Sequence, residues 1–267
     1  MRLKDRVAIV VGAGQSPGEG IGNGRATALT FAREGAKVLC VDHNLASAQE
    51  TVDMIAAKEG TAAAFKADVT KNTDLKAMVE DAIAHWGRID ILHNNVGVSL
   101  SGGDAELLQI TEEAFDRCVA INLKSCVLAA KHVIPIMRAQ NSGAIINISS
   151  MAAITTYPYV AYKATKSAMI AFTEQLAYQN AEYGIRANVI LPGLMDTPMA
   201  VDTRARHSGK SRDEVAAMRD ARVPLRKKMG TAWDVANAAL FLASDEANFI
   251  TGVQLPVDGG SLVDIGH

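Results

Sequence analysis

Short, wholly apolar runs alternate with longer stretches of mixed polarity along this chain. Val7–Val11 is apolar at every position, rich in β-branched residues and stopped by Gly12, the pattern of a strand buried on both faces. After it, a glycine-rich segment from Gly12 to Gly24 opens into helical periodicity over Arg25–Arg33, and a second apolar strand, Lys37–Val41, ends at Asp42. Helix is expected at about 45–59, strand at 62–67, helix near 72–86, strand at Ile89–Leu92, and a long helix over Glu112–Met137 whose apolar character breaks at Asn122. Strand Ala144–Ser149, a helix containing Tyr162 and Lys166, strand Arg186–Leu191, a polar region at 198–228, a helix near 231–243 and strand Val253–Val257 complete the alternation. Strands separated by helices of this length require βαβ crossovers, hence an α/β fold: a doubly wound parallel sheet of about seven strands with helices on both faces. Gly12, Asp42, Asp68, Asn95, Ser149-Ser150 and Pro192-Gly193 all fall at carboxyl ends of strands, where such sheets bind ligands in a crevice.

Composition narrows the picture. No linker or charge run divides the 267 residues, so one domain over 1–267 is expected. A net charge of −2 and a pI near 6.3 supply no basic field for nucleic acid. The charged start and the short apolar run after it fit neither a membrane span nor a cleaved leader. Three cysteines, Cys40, Cys118 and Cys126, lie in apolar stretches without Cys-x-x-Cys or Cys/His spacing, so no metal site is expected and a reducing, cytoplasmic location fits.

The candidate chemistry starts with the segment Gly12–Gly24. Strand, glycine loop and helix N-terminus together form a phosphate cradle, with backbone N–H groups and the helix dipole facing an anion. Asp42, at the end of the second strand, can accept both ribose hydroxyls of adenosine and would repel a 2′-phosphate, which favours NAD over NADP; capping of the next helix is its competing role. Tyr162 and Lys166 stand four residues apart, on one face of a helix. A charge ~5 Å from the phenol at an effective dielectric of ~20 is worth roughly 3 kcal/mol, about two pKa units, enough to make the tyrosine a general acid/base. Tyr159 and Lys163 share that spacing, so context must choose between the pairs.

That context resembles the short-chain dehydrogenase/reductase family across essentially the whole chain. The matching elements are the glycine loop, Asp68-Val69, Asn94-Asn95-Val96-Gly97, Asn122, Ser149-Ser150, Tyr162-Lys163-Ala164-Thr165-Lys166, Pro192-Gly193 with Thr197, and Val257-Asp258-Gly259-Gly260. The resemblance implies a Rossmann-type fold and selects Tyr162 over Tyr159. It further implies that Tyr162 exchanges a proton with the substrate oxygen, that Lys166 lowers its pKa and holds the nicotinamide ribose, and that a serine positions the substrate. Asn122 would distort its helix and hold a water on the proton path. Gly12, Gly22, Asn23, Gly24, Asp42, Asp68, Val69, Asn95, Val96, Gly97, Pro192, Met195 and Thr197 would line the cofactor.

Two features depart from the family pattern. Its usual serine-to-tyrosine spacing of thirteen falls on Ser149, whereas its Asn-x-Ser-Ser pattern points to Ser150, which is preferred because the strand holds that register. The glycine formula Gly-x-x-x-Gly-x-Gly fits Gly12, Gly22 and Gly24 with six residues inserted, and also fits Gly14, Gly18 and Gly20. The 198–228 region, with nine Arg/Lys against four Asp/Glu, is expected to be a long, polar, mobile lid over the substrate. Arg204, Arg206 or Lys210 could steer an anionic substrate, and Tyr157 could line the pocket beside Ile154. The expected function is NAD-dependent interconversion of a secondary alcohol and a ketone on a small polar molecule. The alternatives are a 3-oxoacyl-carrier-protein reductase-like enzyme and a catalytically silent dinucleotide sensor or scaffold. The resemblance also suggests a homotetramer paired through the helices at 111–138 and 159–183.

Overall fold

The computed structural model of the chain describes residues 1–264. Seven strands form one parallel sheet: β1 (Val7–Val11), β2 (Lys37–Asp42), β3 (Thr61–Lys66), β4 (Ile91–Asn94), β5 (Gly143–Ile148), β6 (Ile185–Pro192) and β9 (Gln254–Val257). Their order across the sheet is β3-β2-β1-β4-β5-β6-β9, so the winding direction reverses between β1 and β4. A separate two-stranded ladder pairs β7 (Met195–Asp196) with β8 (Gly230–Thr231).

The period-two geometry of the strands distributes their side chains between two cores. On one face Ala8 and Val10 meet Ala28, Leu29 and Phe31 of α1 (Asn23–Arg33), Ala48 and Ile55 of α2 (Leu45–Ala56), and Val235, Ala239 and Leu240 of α9 (Ala232–Ala243). On the other, Ile9 and Val11 meet Leu75 and Met78 of α3 (Asn72–Trp86), Ala129, Val133 and Met137 of α5 (Ser125–Gln140), and Leu176 of α6 (Val160–Asn180). Fully burying side chains of this size contributes about 1.5–3 kcal/mol each, which is why the parallel strands read as unbroken apolar runs.

The structure shifts one strand boundary and adds detail to two other regions. Strand β4 begins two residues late and includes His93 and Asn94, both buried. Ile89 instead exchanges backbone hydrogen bonds with the Gln140 side chain (3.0 and 2.7 Å), and the buried Asp90 carboxylate accepts from the Val7 N–H at 2.8 Å. The long helix is α4 (Glu112–Val119) running through a π-helical turn, Ala120–Lys124, into α5. This 29-residue run, Glu112–Gln140, is the one stretch among the described residues long and apolar enough to cross a membrane. It packs one face against the sheet and α3 and carries Asn122 into the interior. Finally, the region 198–228, expected as a polar, mobile lid, has ordered elements of its own. It folds into α7 (Asp202–Ser208) and α8 (Arg212–Asp220) around Val201, Val215, Val223 and Met229, with Ser211 and Glu214 forming a capping box at the start of α8.

Candidate active site

The site lies beyond the carboxyl ends of β1, β4, β5 and β6, at the reversal of strand order. Gly12 takes φ +84°, and a Cβ there would meet Val96 Cγ2 at 2.9 Å. A Cβ at Gly24 would come within 1.9 Å of the Gly12 carbonyl oxygen, so only glycine lets the first turn of α1 press on the end of β1. Asn95 donates from Nδ2 to that same carbonyl at 3.2 Å. The helix cap is Gly22, without a side-chain capping bond, which leaves the first-turn N–H groups open. Asn23 Oδ1 is buried with no hydrogen-bond partner. An uncapped helix N-terminus beside an unsatisfied buried amide fits the pyrophosphate and ribose of a dinucleotide. The geometry thus selects the frame Gly12, Gly22, Gly24.

The inserted residues loop outward from this cradle. Gly14 N–H donates to Asp42 Oδ2 at 3.1 Å, and the Gln15 amide ties the loop by donating to Gly20 O and accepting from Gly22 N–H, each at 3.1 Å. Asn44, rather than Asp42, caps α2 by accepting from Ala46 and Ser47 N–H, which leaves Asp42 at the cleft edge. Asp68 stands at the crevice margin, where hydrogen bonds from the Thr70 hydroxyl and N–H hold its carboxyl below the usual range. Val69, beside it, packs on the core under that rim. On the other flank, Pro192 ends β6, Met195 is buried in β7, and the Thr197 hydroxyl accepts from Ala200 N–H at 3.3 Å.

At the centre, Lys166 is 2% exposed and donates from Nζ to the Ile148 carbonyl at 2.7 Å. Its ammonium lies 5.7 Å from the centroid of the Tyr162 ring. A Cβ on Gly97 would fall 3.0 Å from Lys166 Nζ and 3.6 Å from Asn122 Oδ1, so the three converge. Asn122 sits in the π-helical turn, which turns its amide onto the backbone of Val98: Oδ1 accepts the N–H at 2.7 Å and Nδ2 donates to the carbonyl at 2.9 Å. Burial pushes Lys166 down to about 8.

The expected depression of Tyr162 is reversed. Burial, the largest cause, pushes it up to about 12, against a lowering by hydrogen bonding from Ser150 and by the charge of Arg204. The Lys166 ammonium faces the ring plane rather than the hydroxyl edge, and its charge is engaged by the Ile148 carbonyl.

The neighbouring serines divide their work. Ser149 is buried and donates to the Lys166 carbonyl at 2.8 Å, whereas Ser150 acts on Tyr162 and accepts from Ala152 N–H at 3.1 Å. The rival pair separates as clearly: Lys163 donates to the carbonyls of Ala152 and Thr155, bracing the 151–155 turn, and Tyr159 packs its ring on Tyr157. The Tyr157 ring packs at a tilt against Tyr162, 5.4 Å between centroids, and its hydroxyl shares a 3.1 Å hydrogen bond with Ser99.

Two residues had no local signal. Asp104, 4% exposed, accepts from Ala161 N–H at 2.8 Å and Tyr162 N–H at 3.0 Å, capping the helix that carries Tyr162 from 57 and 58 residues away. Arg219 is buried in α8.

An uncapped dinucleotide cradle opening onto Ser150, Tyr162 and Lys166 defines a nicotinamide-dependent dehydrogenase or reductase built on an open parallel sheet. Comparison with known proteins agrees. The family described as enoyl-(acyl carrier protein) reductase matches residues 17–261. A 3-oxoacyl-[acyl-carrier-protein] reductase of Thermotoga maritima is 34% identical over 266 residues, 98% of this chain and 100% of that protein. A 2-(R)-hydroxypropyl-CoM dehydrogenase of Xanthobacter autotrophicus is 35% identical, covering 95% of this chain and 97% of its own. A crystal structure assigned to a short-chain dehydrogenase/reductase of Burkholderia xenovorans superposes with TM-score 0.93 at 40% identity, over 99% of both chains. The chain belongs to the short-chain dehydrogenase/reductase family, oxidoreductases that work with a nicotinamide dinucleotide.

Proposed function

We propose that the protein is an NAD-dependent oxidoreductase that interconverts a secondary alcohol and a ketone on a small polar molecule. The observation that carries this reading is that Tyr162 has Ser150 beside its hydroxyl and, across its ring face, Lys166, whose ammonium lies against Gly97 and Asn122. A nicotinamide bound there supplies the hydride acceptor or donor. Tyr162 moves the proton at the substrate oxygen, and Ser150 hydrogen-bonds that oxygen and orients it. Lys166 keeps a positive charge under the phenol ring and stands where a ribose hydroxyl would meet it. Asn122, Asn95, Val96 and Gly97 shape the wall between Lys166 and the cradle.

NAD is favoured over NADP because Asp42 presents a carboxylate at the adenosine end, where no arginine or lysine follows it. A 3-oxoacyl-carrier-protein reductase is the second reading. It is supported by the acyl-carrier-protein description of the matching family and by the Thermotoga relative. Three buried free thiols suit a reducing cytoplasm. A homotetramer would cover the part-exposed Phe115 and Val127 and the exposed Tyr178, all on α4, α5 and α6.

The test is NADH absorbance against a panel of secondary alcohols, with NAD and NADP in parallel. Turnover with NAD at higher kcat/KM, lost in Tyr162→Phe, is expected. Preference for NADP together with 3-oxoacyl thioesters would select the second reading.

A further inference from the structure

Arg219 is the anomaly of the substrate side. It is 8% exposed, yet its one hydrogen bond is from Nε to the Met229 sulfur at 3.3 Å, and no carboxylate lies within ion-pair distance of it among the described residues. A guanidinium stays charged at neutral pH and presents five donors, and a thioether is a weak acceptor. Holding such a charge out of water without a counter-ion is costly, and a purely structural site would have filled the position with an apolar side chain. Of the carboxylates in its field, Asp196 is already bound at 2.6 Å by Arg212, and Asp220 is paired with Lys228.

Arg204, on the neighbouring helix α7, strengthens the anomaly. It is half-buried, donates from Nη1 to the Ala200 carbonyl at 2.9 Å and likewise has no acidic partner among the described residues. Its charge reaches both Tyr162 and Arg219, and Tyr157, packed at a tilt against Tyr162, lies within electrostatic range of Arg219. Two guanidiniums without an ion-pair partner among the described residues therefore stand on the α7–α8 side of the site, Arg204 within electrostatic range of Tyr162 and Arg219 within range of Tyr157. Burial, then the like charges of Arg204 and Arg222, holds Arg219 down at about 10, still protonated at neutral pH. The other basic residues of this hairpin are spoken for: Arg206 is exposed and donates to Pro17 O and Thr203 Oγ1, and Lys210 is exposed beside Met218.

We infer that Arg219 and Arg204 form an oxyanion subsite, and that the substrate is a small secondary alcohol or ketone bearing a carboxylate or sulfonate. The inference rests on the alcohol–ketone reading of the site and names its substrate class. Arg219, largely buried and held at Nε by the Met229 sulfur, would receive the anion through its planar fork, while Arg204 approaches it from α7. The binding partner restores the counter-charge that the fold withholds.

The test uses the full-length enzyme and matched ketones, 4-acetylbenzenesulfonate and 4-acetylbenzoate against neutral 4-acetylbenzamide, with NADH and NADPH. The expected ratio of kcat/KM, charged over neutral, exceeds tenfold. It falls by about ten- to a hundredfold in Arg219→Met and in Arg204→Gln, the range of a lost charge-assisted hydrogen bond, and recovers in part in Arg219→Lys. A structural arginine would instead lower the melting temperature on replacement by Met and slow both ketones alike. An unchanged ratio in both variants overturns the inference while leaving the oxidoreductase reading intact. If none of the ketones turns over, NADH-fluorescence titration decides: Arg219-dependent binding of 4-acetylbenzenesulfonate upholds the subsite, and binding that ignores Arg219 overturns it.

Discussion

Tyr162 carries two opposed influences, and their balance sets how the rate responds to pH. Because burial holds its proton more tightly than water does, alcohol oxidation, which needs the phenolate, should accelerate from pH 6 towards pH 8. It should level off where Lys166, pushed down to about 8, loses its charge, and ketone reduction should tilt the other way. A flat oxidation profile between pH 6 and 9 would contradict this. Removing the hydroxyl in Tyr162→Phe should lower kcat by about 10²–10⁴-fold with cofactor affinity retained, since general acid–base catalysis contributes that much. His93 makes a separate prediction about stability. It is fully buried in β4, both ring nitrogens lack partners, and burial pushes it down to about 3. A histidine depressed in the folded state favours folding above its unfolded pKa of ~6.5, and that advantage is lost as pH falls through the interval down to about 3. Between pH 7 and pH 5 the wild type should lose about 2 kcal/mol more than His93→Leu, as read by urea unfolding at each pH. Equal losses would show that His93 protonates freely in the native state.

At the scale of elements, the helix that carries Tyr162 and the cofactor loop are each held by a distant partner. Helix α6 begins without a side-chain cap of its own, and Asp104 supplies one from the β4–α4 connection, with Ser99 bonded to the same carboxylate at 3.2 Å. Asp104→Ala should cost about 0.5–2 kcal/mol of stability, the usual worth of an N-cap, and should lower kcat more than it raises KM, because the freed N–H belongs to Tyr162. A loss of stability with unchanged kcat would make Asp104 a structural cap only. The six-residue insertion is clasped to α7: Glu19 N–H donates to Asp202 at 3.2 Å, Arg206 reaches Pro17 O at 3.2 Å, and Arg212 gathers Glu19, Asp196 and Asp202. Gly18 has φ +149°, and a Cβ there would lie 2.5 Å from Asp202 Cγ. Gly18→Ala should therefore part the loop from α7, seen as faster proteolysis within residues 13–21 together with a higher KM for the dinucleotide. Unaltered proteolysis and KM would mean that the clasp does not couple the two segments.

For the whole molecule, the proposed homotetramer predicts that Val127→Glu or Tyr178→Glu shifts the sedimenting species to lower mass, and a wild-type monomer in the same measurement would remove the proposal. What could be read along the chain had a short physical range. Apolar runs and helical periodicity report which faces are buried, so the sheet, its strand-end crevice and the order of glycine loop, Asp42, Asn95, Ser-Ser, Tyr162 and Lys166 were legible before any coordinates. The break at Asn122 was visible as a polar residue in an apolar helix. Properties that depend on partners far apart in sequence were not. Lys166 bonds Ile148 and lies over the ring face, Ser149 rather than Ser150 turns inward to the helix, and burial overrides the charge effect on Tyr162, none of which a four-residue spacing encodes. The polar composition of 198–228 likewise hid two helices, because their small core is assembled from single apolar residues spaced through charged sequence. Local pattern and composition thus determined the fold class and which polar residues stand at the strand ends. Tertiary packing alone decided their orientation, their protonation and the stranding of Arg219 without a counter-charge, because burial and electrostatic pairing are properties of neighbours in space.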